Sequence, residues 1–365
     1  MTTTYRYLFA DLLTNDILAE LPLTGVSFTQ QLNQAGALQG HLLLSGMATA
    51  EFNVNASTIP GRTGLYVDRN GILIWGGVIW GRTYSSADQT LNLMAREFES
   101  YFERRRITTT IDFTNIDQLV IARTIMNTAQ TPPEGDIGVI VGTETSGVLL
   151  SRTYYDYELK GVYNAIQDLS RGEDGFDFNI QVSYDPITNE PLKTLILGYP
   201  RTGTVYDPTD PEALVFEFPA GNIVEYEYPE DGAIAANTVY ALGAGSNEGK
   251  LIETAQDTTL LADGWPLLEE QANYSDVTDA TYLQELATGQ VLAVAYPPTT
   301  IKIVVPAYAT PQLGDYQIGD DARLVIQDER FPGTLDAIYR IVGLSVQPGE
   351  DGPERVTLTL TTTTN

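Results

Sequence analysis

The chain has 365 residues, enough for two or three domains at roughly 100–200 residues each. With 48 acidic against 20 basic side chains its net charge is −28, a surface that repels nucleic-acid phosphates and anionic lipid. The absence of cysteine excludes a disulfide framework, thiolate catalysis and Cys-ligated zinc, and a single histidine, His41, leaves a Ser-His-Asp triad one candidate base.

At 43% hydrophobic residues, with 21 tyrosines, the composition is that of a folded chain and not of an acidic disordered one. The first residues, Met1 to Leu13, lack a basic stretch leading into an apolar run and a cleavage site, so no secretory signal is expected. No apolar run approaches the roughly 18–20 residues that span a bilayer. These features predict a folded, acidic, soluble protein.

In chain order, the first clear element is a hairpin. Tyr66-Val67-Asp68 and Ile72-Leu73-Ile74-Trp75 flank Arg69-Asn70-Gly71. Asn-Gly is a strong hairpin signal because both residues tolerate positive φ, and Trp75 and Trp80 are expected on or near a packed face. Gly76-Gly77 predicts an interruption of the strand, by a bulge or a close backbone approach, before Val78-Ile79-Trp80 resumes it.

A helix is predicted over 115–129, capped by Thr114 or Asn115 and stopped at Thr131-Pro132-Pro133. Its apolar residues Ile116, Leu119, Val120, Ile121, Ile125 and Met126 go nearly all the way round, which predicts burial. A second helix is predicted over 158–171 from Leu159, Val162, Tyr163, Ile166 and Leu169, with Gly172 as a left-handed stop. Strands follow at 176–183, 194–197, 214–218, 223–228 and 238–242. A third helix is predicted over 276–295, striped by Leu283, Leu286, Ala287, Val291 and Val294 and ended by Pro297-Pro298. The closing strands are 300–305, 322–327, 338–346 and 355–361, the last alternating Val356, Leu358 and Leu360 with threonines.

This pattern divides the chain into a β-rich region of residues 1–100, an α+β region of 101–206, and a β-rich region of 207–365 with an inserted helix. Tyr206-Asp-Pro-Thr-Asp-Pro-Glu212 reads as a proline-punctuated linker or loop before the last region. The charge is uneven: 22 acidic and 14 basic side chains precede residue 207, while 26 acidic and 6 basic follow from there.

Candidate chemical sites are few. Gly243-Ala-Gly245-Ser-Asn-Glu-Gly249 follows a strand, but a dinucleotide site needs a helix just after the glycines, and Lys250 to Thr259 has no helical stripe; a strand-to-strand loop is expected. The clusters Glu173/Asp174/Asp177, Asp207/Asp210/Glu212 and Asp315/Asp320/Asp321 lack the ligand spacing of a calcium loop and read as turns. Paired carboxylates in an aromatic cleft would suit glycoside hydrolysis, yet among so many acids the sequence singles out no pair. His41 precedes Leu42-Leu43-Leu44 and reads as a structural residue of a strand end or core edge. Arg104-Arg105-Arg106, beside Glu97, Glu99 and Glu103, reads as a solvated helix end, an interdomain salt-bridge patch or an anchor for an acidic neighbouring subunit.

Taken in order, these elements resemble the hub-type minor tail proteins of siphophages, themselves related to the trimeric central hub of contractile phage tails. The resemblance is carried by Asp68-Arg-Asn-Gly-Ile-Leu-Ile-Trp75-Gly76-Gly77, by Val162-Tyr-Asn-Ala-Ile-Gln-Asp-Leu169 followed by Gly175-Phe-Asp-Phe-Asn-Ile180, and by Gly319-Asp320-Asp-Ala-Arg-Leu-Val325, Tyr339-Arg340-Ile-Val and Arg355-Val-Thr-Leu-Thr-Leu360. It implies a mainly β fold with an α+β insertion: two tail-tube-like β-barrel domains and a peripheral α+β region. It implies a virion structural protein of the tail tip, made in the host bacterial cytoplasm, with no enzyme activity and no catalytic, cofactor or metal residues. Expected partners are two further copies in a homotrimer, the distal tail and tail-tube proteins, the tape measure protein, and tail-tip fibre or spike proteins. Sequence-specific nucleic-acid binding and membrane insertion are not expected. An acidic channel wall would keep passing DNA off the protein. The alternative is a carbohydrate-active β-protein that binds or hydrolyses cell-wall glycan.

Overall fold

The computed structural model describes residues 3–45, 53–172, 174–206, 213–230, 232–295, 300–349 and 353–362. Residues 207–212 of the expected linker, the cluster Asp207/Asp210/Glu212, Glu173 and Pro297-Pro298 lie outside them.

The first region holds β1 (Tyr5–Asp11), β2 (Ile17–Glu20), β3 (Thr24–Gln31), β4 (Ala37–Leu43), the one-turn helix α1 (Val54–Ser57), β5 (Thr63–Arg69), β6 (Ile72–Ser85), β7 (Thr90–Glu97) and the short α2 (Glu99–Phe102). The middle region holds β8 (Ile111–Asp117), α3 (Gln118–Gln130), β9 (Val139–Val141), β10 (Leu149–Tyr154), α4 (Val162–Ser170), β11 (Asp177–Tyr184) and β12 (Pro191–Gly198). The last holds β13 (Val215–Phe218), β14 (Glu225–Glu227), β15 (Thr238–Leu242), β16 (Ile252–Gln256), α5 (Thr258–Ala262), β17 (Glu269–Asn273), α6 (Ala280–Val294), β18 (Ile301–Pro306), β19 (Asp321–Ile326), β20 (Leu335–Gln347) and β21 (Arg355–Thr362). The protein is mainly β with an α+β insertion.

The first and last regions share one open 13-stranded sheet, in which β14-β18-β21-β20 continues into β3-β4-β7-β6-β5-β1-β2, while β19 and β13 extend from the other half of β20. The join is the antiparallel pairing of β20 with β3, in the register Leu344↔Gln30 and Val346↔Phe28. At the far end of the last region β13 and β14 meet where the Ile223 amide donates to the Glu217 carbonyl (3.1 Å). One apolar core runs under both regions and includes Phe9, Phe28, Trp75, Phe216, Ile303, Ile341 and Leu358. Full burial of each such side chain contributes about 1.5–3 kcal/mol.

The Asn70-Gly71 turn is as the sequence predicts: φ is 56° and 87°, and Arg69 pairs with Ile72 across a two-residue loop. Trp75 is fully buried and its indole N–H donates to the Thr29 carbonyl (3.0 Å), while that of Trp80 donates to Ser100 Oγ (2.7 Å). The strand is not interrupted at Gly76-Gly77, since β6 runs through both. The register instead shifts on either side, at Ile74 and at Trp80. The glycines serve the close approach: a Cβ on Gly77 would lie 2.1 Å from the Arg96 carbonyl oxygen, and one on Gly76 would lie 2.7 Å from Val182 on β11.

All three predicted helices exist, each starting later than the sequence indicates. Residues 115–117 finish β8, and Asp117, not Thr114 or Asn115, caps α3 by accepting the Leu119 amide (2.9 Å). Leu159 turns left-handed (φ 48°), so α4 begins at Val162, and Gly172 does not take the left-handed stop. Asp279 caps α6 at the Tyr282 amide (2.8 Å). The inserted helix does not stand alone. It packs on a three-stranded sheet of β16, β15 and β17, with Leu283, Leu286, Ala287 and Val291 against Val239 and Ala241. Only β15 of these strands is readable beforehand, because β16 and β17 are short and alternate weakly. Among the described residues no helix is long and apolar enough to cross a membrane.

Candidate functional site

The three regions meet at charged junctions. At the first, Asp177, opening β11, accepts the Thr202 amide (2.7 Å) and Asn33 Nδ2 (3.3 Å) and pairs with Arg340 of β20. Arg340 also donates to the carbonyls of Gly319 and Thr202, both at 3.1 Å. Arg201 pairs with Asp321, and Asp320 accepts the Thr204 amide (2.7 Å) and the Gln317 amide (2.9 Å). The backbones cross so closely that a Cβ on Gly203 (φ 85°) would lie 2.1 Å from the Gly319 carbonyl carbon. Asn33, Asp177 and Arg340 thereby tie the first, middle and last regions together.

At the second junction Arg69 grips Glu354 with two hydrogen bonds of 2.8 Å, Tyr5 donates to the same carboxylate, and Arg69 reaches the Leu313 carbonyl (3.1 Å). This bidentate pair is largely buried, the geometry in which an arginine contributes most specificity. At the third, Lys160 bridges Asp168 (2.7 Å) and Asp276, and Arg152 lies 3.2 Å over the Tyr282 ring while pairing with Glu285 (3.2 Å). Arg152, Lys160, Asp168, Asp276 and Tyr282 line a cavity of about 340 Å³ between the middle region and the unit built on α6. Burial raises the Asp168 carboxyl above its usual range, with Lys160 pulling the other way.

The residues weighed from sequence fall as follows. Asp320 and Asp321 are buried and bonded to backbone amides and Arg201, whereas Asp315 accepts the Gln312 amide in an exposed turn (2.9 Å). Asp177 belongs to the first junction. Among the described residues no group of three or more acidic or histidine side chains could hold a metal. The Gly243–Gly249 segment joins antiparallel β15 to β16, with no helix after the glycines before β16, so it is a strand-to-strand loop. His41 pairs in register with Thr24 and Asn92, and its ring lies over Gly25, where a Cβ would come within 2.7 Å. Arg105 donates to the Ala129 carbonyl near the C-terminal end of α3 (3.0 Å), Arg106 donates to the Glu103 carbonyl (2.7 Å), and Arg104 is exposed. The basic run is thus a helix-end contact within the middle region, and none of its three arginines forms an ion pair among the described residues.

One arrangement the sequence did not single out is a buried carboxyl pair. Glu97, ending β7, accepts the Gly36 amide (2.7 Å) and Gln30 Nε2 (3.1 Å), and Glu99 accepts the Ile180 amide. Both are almost closed to solvent, at 6% and 4% exposure. The available signal was that Glu97 alternates in phase with Leu93 and Ala95, the inward positions of β7. The neighbouring Glu103, by contrast, faces Arg96 in a bidentate pair of 2.7 Å bonds.

No family model and no curated protein matches this sequence. Solved structures do. The tail protein from Neisseria meningitidis MC58 superposes with a TM-score of 0.62 at 14% identity, over 99% of this chain and 97% of that one. The 43 kDa tail protein of prophage MuSo2 from Shewanella oneidensis gives 0.59 at 13% identity, over 98% of both chains. Prophage tail protein gp18 from Listeria monocytogenes gives 0.53 at 11% identity, over 97% of this chain and 94% of that one. The likeness runs nearly end to end in both partners of each comparison, and the fold of this chain is that of phage tail proteins.

Proposed function

We propose that the chain is the structural hub subunit of a phage tail tip. The observation that carries this reading is the end-to-end fold match with prophage tail proteins in both directions, 99% and 97% of the two chains in the first case. The β20–β3 pairing supports it, because it fixes two β-rich regions side by side in one subunit. Residues 1–100 and 207–365 then act as two barrel-like hub domains, the latter carrying the α6 unit, and residues 101–206 form the peripheral domain. Three chains close around an axis through heterologous contacts and present six such domains beneath a sixfold tube. Edge strand β2, paired among the described residues with β1 alone, is a surface that assembly covers. Ile17 and Leu18 on β2 are exposed, which favours such a contact.

In this reading the ring sits in the virion, joins tail-tube proteins to fibre or spike proteins, and surrounds a channel for the tape measure protein and DNA. The net charge of −28 per chain keeps phosphates off its wall. Synthesis takes place in the host cytoplasm, and the subunit performs no catalysis. A glycan-cleaving role requires a carboxylate pair facing an open cleft, and the Glu97/Glu99 pair is shut inside the protein.

The test is solution mass by light scattering across a salt series. Screening of like charges should drive the chain towards three times its own mass as salt rises, with electron micrographs showing a threefold ring. A ring with a basic inner wall, or a closed dimer, would overturn the hub reading.

A further inference from the structure

Seven neighbouring strands of the 13-stranded sheet share a peculiarity of charge. β18, β21, the 343–347 half of β20, β3, β4, β7 and the 80–85 half of β6 contain one acidic residue, Glu97, and it is buried on the core side. The whole chain has 48 acids in 365 residues, so the solvent side of these strands stands apart. Strand structure alone does not exclude acids here. Glu20 on β2, Glu225 and Glu227 on β14, Glu269 on β17 and Asp336 in the first half of β20 are all exposed. On the seven strands the register lines up hydroxyls and amides instead. Thr357 lies opposite Ser345, Ser345 opposite Thr29, and Gln39 opposite both Ser27 and Met94. The cations of these strands are mostly engaged. Glu103 grips Arg96 with two 2.7 Å bonds, Glu227 lies 3.9 Å from Lys302, and Arg82 donates to the Asn55 carbonyl (2.8 Å) and Thr58 Oγ1 (2.9 Å). Arg355 stands at the end of the face, as the first residue of β21.

The face runs across both β-rich regions through the β20–β3 join. Gln39, Asn92, Met94 and Lys302 on it are exposed. The middle region sits elsewhere on the first region, on β1, β5 and the start of β6, where Leu8, Ala10 and Tyr66 share an apolar cluster with Ile121, Ile166 and Leu169 of α3 and α4. With residues 101–206 peripheral, as in the hub reading, the acid-free face looks towards the axis.

We propose that this face is the channel wall and that the wall is uncharged, a hydroxyl- and amide-lined surface along which duplex DNA moves without being held. The inference rests on the hub reading, and it puts a neutral wall where the resemblance implies an acidic one; the chain's acids act from behind it. A cationic wall would exchange counterions for phosphates and retain the polymer. A carboxylate wall would push it away and oppose its entry. Threonine, serine and glutamine trade hydrogen bonds with water at little net gain, so one position along the wall is as good as the next.

The chain has no cysteine, so single cysteines introduced into the full chain report position. Gln39→Cys and Lys302→Cys lie on the face, and Glu248→Cys lies in the exposed loop between β15 and β16. In the assembled ring a small maleimide should label all three. A maleimide carried on a protein too wide for the channel should label Glu248→Cys alone, and all three once the ring is dissociated. Wide-reagent labelling of Gln39→Cys in the intact ring would put the face outside. Protection from the small reagent would make it a contact between chains. Either result overturns the proposal and leaves the hub reading standing, whereas a chain that forms no ring at any salt removes both. The charge is tested by filter retention of duplex DNA on the ring. Wild type should retain none at about 50 mM salt, while Gln39→Lys/Asn92→Lys/Ser345→Lys should retain it and lose affinity about 1,000-fold between about 50 and 200 mM. Retention by wild type, or none by the lysine variant, would overturn the uncharged wall. If the lysine variant does not fold, the cysteine labelling decides the position and wild-type retention the charge.

Discussion

Strand β11 touches two buried acidic sites of opposite design. Asp177, at its start, meets an arginine, a backbone amide and a side-chain amide. Three residues on, Ile180 donates its amide to Glu99, whose other carboxyl oxygen is buried with no hydrogen-bond partner among the described residues. The residue types and the depth of burial are alike, and the difference lies in the countercharge. A buried carboxylate surrounded by donors is a fastening of the folded state; one left open at an oxygen is a demand for a proton, water or ion.

The comparison is tested most strongly by removing the countercharge where it exists. Arg340→Met should cost about 3–5 kcal/mol in denaturant melts, because it strands Asp177 inside the protein. Adding Asp177→Asn should recover most of that loss. Recovery of none would mean that Arg340 acts through its carbonyl contacts at Gly319 and Thr202.

The second site should respond to pH. Glu99 moves from its ordinary 4.5 to about 7 because burial disfavours its charge, with the Ile180 amide and Arg96 pulling the other way; Glu97 and Tyr163 are the other ionisable groups acting in this neighbourhood. A raised carboxyl favours folding at low pH. Its contribution is complete below 4.5 and lost as pH rises through about 7, roughly 3 kcal/mol when fully ionised. Wild type should therefore lose stability across that window in pH-dependent denaturant melts while Glu99→Gln should not.

Lys193 extends the contrast to a cation. It is buried, donates to the Ile137 carbonyl and lies 5.1 Å from the Phe98 ring centre, and burial lowers its pKa to about 8. A lowered lysine reverses the slope, so stability should rise as pH climbs from about 8 to 10.5. Lys193→Met should remove that rise and stabilise the chain by about 2 kcal/mol at pH 7. The smallest effect belongs to Asp117. Burial raises its carboxyl, but the amides of Gly147, Leu119 and Ser146 outweigh this and leave it lowered. Asp117→Ala should cost about 1 kcal/mol as a lost cap. The wild-type advantage should itself fade as pH drops through the depressed Asp117 value.

Much of the architecture was readable because it rests on local pattern. Asn70-Gly71 declares its turn, Val356, Leu358 and Leu360 declare a half-buried strand, and the apolar stripe of α4 declares its helix. Helix starts were less readable because caps depend on where a neighbouring strand ends: Asp117 serves as the last residue of β8 and the cap of α3 together. The sheet join was unreadable, since nothing local in Phe28 or Val346 specifies pairing across the length of the chain. The Glu97/Glu99 pair was hidden for a related reason. A glutamate's alternation with apolar neighbours places it inward only once the opposing wall, from β11, is known.

The β3–β20 pairing also has a consequence in time. Its partners are separated by about 300 residues, so at roughly 5–20 residues per second a ribosome needs about 15–60 s between making the first strand and the second. For that interval one margin of β3 stands bare, with Phe28 and the apolar core beneath it uncovered on that side. The newborn first half is therefore a sticky intermediate that the later half must reach before another chain does, and the yield of correctly folded subunit is set by a race between synthesis and self-association.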